Sequence, residues 1–171
     1  MRATLGKTLG ILALAQIGVI QSAAVAQVNR GSQGMTLSAC SILTTTEILQ
    51  ITKKQNRFNL RPQPSDEVKG VSECHFLDYD FSLVGNVTKE SFEATRKSQA
   101  AAKGVRVDPA AGVGDDAFFW ARPQGSNSVV GIIFRVGQRR LAIQDMVSAD
   151  SIEIVKPTLM ALAKAAAPKL K

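Results

Sequence analysis

The sequence is poor in the residue types that most enzyme and metal sites use. Its 171 residues include one histidine, two cysteines, one tryptophan and one tyrosine. A structural zinc site usually needs about four histidine or cysteine ligands at regular spacing, so this inventory excludes the usual zinc site. We expect no metal and no cofactor, and no residue is identified as catalytic.

Length and composition are those of one ordinary globular domain. Apolar residues make up 45% of the chain and charged residues 20%, which is typical of a folded protein. A chain of 171 residues is the usual size of a single domain. Intrinsic disorder and a multi-domain architecture are therefore not expected.

Residues 1–26 have the three parts of a secretory signal peptide. The stretch has a basic start with Arg2 and Lys7, an apolar run over 9–20, and small residues that end at Ala26. We predict cleavage after Ala26 and a periplasmic or secreted mature protein, in which 27–39 form a flexible leader and 40–171 a single domain.

The sequence disfavours two ways in which the protein could stay attached to a membrane. A permanent anchor needs about 20 uninterrupted apolar residues, and Gln16 and Gly18 interrupt the run. The tetrapeptide Leu37–Cys40 has the form of a bacterial lipid-attachment box, but the polar stretch 29–34 separates it from the apolar region. Such motifs count only in the right position, so lipidation of Cys40 is not expected.

Export has a consequence for the two cysteines, Cys40 and Cys74, which both lie in the mature part. Exported proteins fold where thiols oxidise, and we predict a Cys40–Cys74 disulfide. The chain-entropy model gives such a loop a stabilisation of about 3 to 4 kcal/mol.

The chain is basic, with a formal net charge of +7, and its cations form two clusters. The basic residues concerned are Lys53, Lys54, Arg57 and Arg61 in the first cluster, and Arg135, Arg139 and Arg140 in the second. An exported protein seldom meets nucleic acid, so anionic lipid, polysaccharide or an acidic partner would be the counterpart. The alternative, which we favour, is a solvated charged surface that keeps the protein soluble.

Capping signals and periodicity predict the helices. Thr44 and Glu47 form a capping box that opens a short helix to about residue 55. Thr88 opens a surface helix through 103, in which Phe92 is the main apolar contact. Another capping box at 150–153 opens a final amphipathic helix, which Pro157 should kink or whose real start it should mark.

Alternating apolar residues predict the strands. One strand over 71–87, bent near Asp80, precedes a three-stranded antiparallel meander. The meander strands are predicted at Ala117–Arg122, Val129–Val136 and Arg140–Val147. The economical architecture is an α+β sandwich, with an antiparallel sheet of about four to five strands packed with two or three helices.

Two motifs could carry chemistry, and both have simpler explanations. The segment Gly112–Ala117 matches a phosphate-binding glycine pattern, but a strand follows it where a dinucleotide site needs a helix. A glycine turn that opens a strand is therefore favoured. His75 adjoins Cys74, yet neighbouring strand residues point to opposite faces, and a disulfide would remove the thiolate.

Three segments in order carry a family resemblance. Cys40–Thr44 precedes the first helix, Ser72–Phe76 lies in the first strand, and Gly112–Phe118 opens the meander. This order resembles the small exported domains of the LpqN type in mycobacteria, which are similar in fold to PsbP-like α/β sandwiches. The resemblance implies a non-enzymatic envelope, sensor or accessory role, with Cys40 and Cys74 as the matched disulfide and no catalytic residues.

The leading hypothesis is an exported, monomeric, non-enzymatic binding or accessory domain. Its partner would be a small ligand or another envelope protein, bound on an apolar surface near Phe118, Trp120 and Arg122, since tryptophan and arginine are favoured at recognition sites. One alternative is a hydrolase that uses His75 with a nearby acid and serine. Another is a peripheral binder of anionic membrane through the basic clusters.

Overall fold

The computed structural model describes residues 37–55, 61–64 and 70–171. The predicted signal peptide lies outside the described residues, as does Arg57 of the first basic cluster.

One antiparallel sheet of seven strands organises the fold, in the order β1-β2-β3-β7-β6-β5-β4. The strands are β1 (Gln63–Pro64), β2 (Val71–Phe76), β3 (Tyr79–Val84), β4 (Arg106–Pro109), β5 (Asp116–Gln124), β6 (Asn127–Val136) and β7 (Arg139–Ser148). Helices pack on this sheet, so the predicted α+β class with one antiparallel sheet is confirmed, and the meander is β5, β6 and β7 in adjacent positions.

The sheet has more strands than the four to five predicted, for two reasons. The single strand expected over 71–87 is the hairpin β2–β3, which turns at Leu77 with a φ of 55°. That left-handed conformation is usually taken by glycine or asparagine, and a leucine there gives no turn signal. The added strands β1 and β4 have two and four residues, too short for alternation to reveal.

The helices are α1 (Ala39–Ile42), α2 (Thr45–Thr52), α3 (Lys89–Ala101) and α4 (Ile152–Ala166). The capping box of α2 is confirmed, because the Thr44 amide donates to Glu47 Oε2 at 2.8 Å and the Glu47 amide donates to Thr44 Oγ1 at 3.3 Å. Thr88 caps α3 as predicted, by accepting a hydrogen bond from the Ser91 amide at 3.2 Å.

The start of the last helix differs from the prediction. A 3-10 turn at Ala149–Ser151 precedes α4, and the N-cap Ser151 makes no side-chain capping bond. The Ser151 hydroxyl instead pairs with the Ser148 hydroxyl at 2.8 Å. The capping box predicted at 150–153 is therefore wrong. Pro157 lies inside α4 and does not mark its start.

The sheet has two unlike faces. The first face, which includes Ile132 and Phe134, packs against α1, α2 and α4 in the larger core. The second face includes Phe118 and Ile133 and packs against α3 through Phe92. Strand β6 supplies apolar residues to both faces, as its predicted double-sided pattern requires.

The N-terminal end of α2 is tied to the end of the chain by one ion pair. Lys169 Nζ lies 2.6 Å from Glu47 Oε1. The hydrogen bond from Lys169, followed by those from the Thr44 amide and hydroxyl, lowers the pKa of Glu47 to about 2. Both side chains are about a third exposed, at 36% and 37%, so solvent screens the pair and its contribution is about 1 kcal/mol or less.

This ion pair predicts a specific loss of stability in acid. A carboxyl whose pKa is lower in the folded state stabilises the fold above its unfolded pKa, which is 4.5 for glutamate. The contribution should disappear as the pH falls from there towards about 2. Urea unfolding should show that the natural sequence loses this part of its free energy of unfolding in acid. Glu47→Gln should be less stable than the natural sequence at neutral pH and equally stable near pH 2.

Exposed Lys97 on α3 provides the control for this experiment. Lys169→Gln should reproduce part of the effect of Glu47→Gln, because it removes the ion pair but leaves the hydrogen bonds from Thr44 to Glu47, and Lys97→Gln should keep the pH profile of the natural sequence. If the difference in free energy of unfolding between Glu47→Gln and the natural sequence did not become smaller in acid, the assigned ion pair would be wrong.

Candidate functional site

The predicted disulfide is present and joins α1 to β2. Cys40 and Cys74 have sulfur atoms 2.02 Å apart and Cα atoms 5.1 Å apart. The Ala39 amide also donates to the Ser72 hydroxyl at 3.0 Å, so the covalent link and a buried hydrogen bond hold the same two elements. No described helix has the length and apolar character needed to span a bilayer.

The second face of the sheet is only partly covered by helix α3. One row of cross-strand neighbours on this face runs from His75 through Asp80 and Gln144 to Gly131 and Trp120. The adjacent row runs from Met146 through Val129 to Arg122. We call the exposed members of these rows, together with the half-buried Gln144, the open face: His75, Asp80, Arg122, Gln144 and Met146.

Polar contacts order one end of the open face. His75 Nδ1 lies 2.5 Å from Asp80 Oδ1, and Gln144 Nε2 donates to Asp80 Oδ2 at 3.1 Å. The side chains of His75 and Asp80 are 57% and 51% exposed. A carboxylate bonded to Nδ1 fixes the orientation of the ring.

Trp120 lies at the other end of this row, packed on the backbone of β6. A Cβ atom added to Gly131 would lie 2.6 Å from Trp120 Nε1, so only glycine leaves room for the indole. The Arg122 guanidinium lies 5.9 Å from the centre of the indole ring, within the range of a cation–π contact. Trp120 keeps 8% of its surface exposed.

The three residues predicted to bind a ligand have different positions. Phe118 is fully buried and meets Phe92 of α3 edge-on, with ring centres 5.5 Å apart. Trp120 is largely buried, and Arg122 is exposed. Of the predicted set, only Arg122 is exposed at the surface.

The first basic cluster contains a structural lysine. Lys54 Nζ lies 2.7 Å from Asp78 Oδ2, 3.8 Å from Asp145 Oδ2 and 4.5 Å from the centre of the Tyr79 ring. Lys54 therefore joins the end of α2 to the β2–β3 hairpin. Lys53 and Arg61 are exposed.

Burial shapes the ionisation of this group. Burial raises the pKa of Asp145, and the nearby Lys54 charge only partly opposes it. Burial would lower the pKa of Lys54, but its hydrogen bond to Asp78 and the other charges outweigh that effect and raise it. Burial also raises the pKa of Tyr79. These shifts arise from burial and from contacts within the fold.

The second basic cluster is largely occupied within the fold. Arg135 Nη1 lies 3.2 Å from Asp115 Oδ2. Arg139 donates to the main-chain oxygens of Leu170 and Lys171 at 2.9 Å and 3.1 Å. Arg140 donates to the Thr95 hydroxyl of α3 at 3.1 Å, and burial lowers its pKa. These arginines hold the hairpin turn, the chain end and α3 in place.

The glycine segment forms a turn before β5, as predicted. Gly112 and Gly114 have positive φ angles of 81° and 59°. A Cβ on Gly114 would lie 2.3 Å from the Arg135 carbonyl oxygen, which accepts a hydrogen bond from the Asp115 amide at 2.8 Å. The glycines are therefore needed for the turn itself, and a strand follows where a dinucleotide site would have a helix.

Sequence reasoning missed Gln144 and Met146 on the open face. The alternation in β7 places both residues on the side of Arg140 and Ala142, which was readable from the sequence. The position of Gln144 beside Asp80 was not readable, because the pairing of β7 with β3 joins strands that are far apart in the chain.

Comparisons with known proteins leave the resemblance to LpqN-type domains a prediction. A scan against protein-family models found no matching family, and a search of curated proteins found no matching relative. Within residues 37–55, 61–64 and 70–171, no three histidine, cysteine, aspartate or glutamate residues are grouped so as to hold a metal ion.

Proposed function

We propose that the protein is an exported, non-enzymatic binding domain of the cell envelope, whose open face docks another envelope protein. The observation that carries this proposal is the exposed Met146, 54% accessible, in the row that leads to Arg122 on a half-covered sheet face. Methionine and arginine are enriched at protein interfaces because they combine large contact area with adaptable or multidentate contacts.

One observation and two predictions from the sequence support an envelope role. The Cys40–Cys74 disulfide fits a compartment in which thiols oxidise, and the predicted signal peptide would deliver the chain there. The resemblance to LpqN-type, PsbP-like sandwiches also implies a non-enzymatic accessory role.

The membrane-binding alternative has less support. Electrostatic binding to anionic lipid needs clustered cations that are free to face the surface. Arg135, Arg139 and Arg140 instead contact Asp115, the chain end and Thr95. Lys54 is likewise paired with Asp78.

A hydrolase is the second candidate because of the bond between His75 and Asp80, which matches the acid–base half of a catalytic triad. A triad also needs a nucleophile bonded to the free ring nitrogen. In the described part of the chain, His75 has its hydrogen bond to Asp80 and none to a serine hydroxyl. Turnover of a nitrophenyl ester that is lost in His75→Ala would overturn the binding-domain proposal.

Site-specific photo-crosslinking tests the docking surface. A photoreactive residue at position 146, in cells of the organism that makes the protein, should give a discrete adduct. The control position is Ile154 on α4, which is also apolar and is 75% exposed. Arg122→Glu should abolish the adduct at 146, because the charge reversal removes the guanidinium beside the contact.

The outcomes separate the hypotheses. No adduct at 146, or equal adducts at 146 and 154, would contradict docking on the open face. An adduct made of lipid, together with sedimentation on phosphatidylglycerol vesicles that weakens with salt, would support the membrane alternative instead.

A further inference from the structure

A cleft of about 290 Å³ lies outside the open face, between the glycine turn and the end of the C-terminal helix. Gly112 and Asp115 of the turn form one wall, and Val136 of β6 belongs to the first face of the sheet. Lys164, Pro168 and Lys171 form the opposite wall. The volume is at the lower end of the range for small-molecule sites.

The negative groups at the cleft already have partners. Asp115 lies 3.2 Å from Arg135 Nη1, and its Oδ2 atom also accepts a hydrogen bond from the Gly137 amide at 2.8 Å. The main-chain oxygen of Lys171 accepts a hydrogen bond from Arg139 at 3.1 Å. The arginines of the second basic cluster therefore offset the negative charge on the cleft walls.

Unlike Arg135 of the second basic cluster, the two lysines at the cleft take part in no ion pair among the described residues. Among the ion pairs of the described residues, within 4.0 Å, neither Lys164 nor Lys171 takes part. Both side chains belong to exposed residues that line the cleft. The lining therefore holds two lysines without an ion pair and one aspartate whose charge is offset by Arg135, which gives the cleft a net positive charge.

We infer that this cleft binds a small organic anion. The ammonium groups of Lys164 and Lys171 hold a carboxylate or phosphate group, and the apolar body of the ligand lies against Val136 and Pro168. Apolar residues and a few charged ones line the same cleft, a combination that small-molecule sites use. It is separate from the open face, which lies on the other side of the sheet.

Nuclear magnetic resonance titration at low salt tests the inference with three compounds that share a benzene ring and differ in the attached group: benzoate, phenyl phosphate and the neutral benzyl alcohol. The two anions should shift the amide signals of Gly112, Gly114 and Val136 in a saturable way, and added salt should weaken the effect. The tighter of the two anions identifies the group that the lysines prefer. Benzyl alcohol should give no saturable shift.

Charge removal provides the matched comparison. Lys164→Gln with Lys171→Gln should weaken anion binding about tenfold or more, equivalent to one decade in Kd. Lys97→Gln on α3, also an exposed lysine, should leave binding unchanged. Because both cleft lysines are exposed, neither substitution removes a buried contact.

The inference would be overturned by equal shifts with benzyl alcohol, by anion binding that is unchanged in the double variant, or by the absence of a saturable shift up to about 10 mM, which corresponds to a binding free energy of less than about 3 kcal/mol. The salt dependence of the natural protein decides the question even if the double variant folds poorly. Shifts confined to Gln144 and Met146 would also count against the cleft while supporting the open face.

Discussion

Replacing Phe92 by alanine is expected to lower the free energy of unfolding by about 3 to 5 kcal/mol, the usual loss for a buried phenylalanine. Phe92 is fully buried and is the one core residue that α3 supplies. Its ring meets Phe118, and the neighbouring Val129 and Ile133 belong to the same cluster. Without the ring, the helix keeps few apolar contacts with the second face.

Urea unfolding followed by circular dichroism measures this effect. Lys97→Ala on the same helix should change stability by no more than about 0.5 kcal/mol, because surface substitutions away from special contacts have small effects. Hydrogen exchange should show in addition that Phe92→Ala exposes the amides of α3 before those of β6. A loss below about 1 kcal/mol would show that α3 is held by other contacts.

Loss of the disulfide is expected to destabilise the protein by about 3 to 4 kcal/mol. The bond closes a loop with a sequence separation of 34 between Cys40 and Cys74. Opening this loop returns chain entropy to the unfolded state. In the folded state it also removes the covalent link between α1 and β2, which then stay together through core packing and the Ala39–Ser72 hydrogen bond.

The measurement compares Cys40→Ala/Cys74→Ala with the oxidised natural protein, and with the natural protein under dithiothreitol. The two reduced forms should agree, because both remove the same cross-link. Equal stability of the double variant and the oxidised protein would contradict the prediction. It would mean that the cross-link does not restrict the unfolded chain or that the attachment of α1 to β2 does not contribute to stability.

Local signals in the sequence predicted the elements that they specify directly. The Thr44–Glu47 capping box, Phe92 as the anchor of its helix, the two-sided pattern of β6 and the pairing of the cysteines are all confirmed by the structure. Each depends on residues close in sequence, or on there being only one possible cysteine pair.

The remaining features depend on contacts that a single sequence does not reveal. The β2–β3 turn uses Leu77 in a left-handed conformation, and the strand β4 is too short to show alternation. The open face forms only when β7 pairs with β3. Lys164 lines the same cleft as the glycine turn because α4 packs on the sheet, and no local motif specifies that packing.

Because Trp120 packs on Gly131 next to the open face, its fluorescence can be used to follow changes at that surface. Trp120 is the single tryptophan in the chain, so all indole fluorescence comes from one point, beneath Arg122 and next to the open face. Docking at Met146 or detachment of α3 would alter the colour or intensity of that emission. An anion that binds in the cleft, on the other side of the sheet, should leave the Trp120 emission unchanged. Tryptophan fluorescence therefore distinguishes binding at the open face from binding in the cleft.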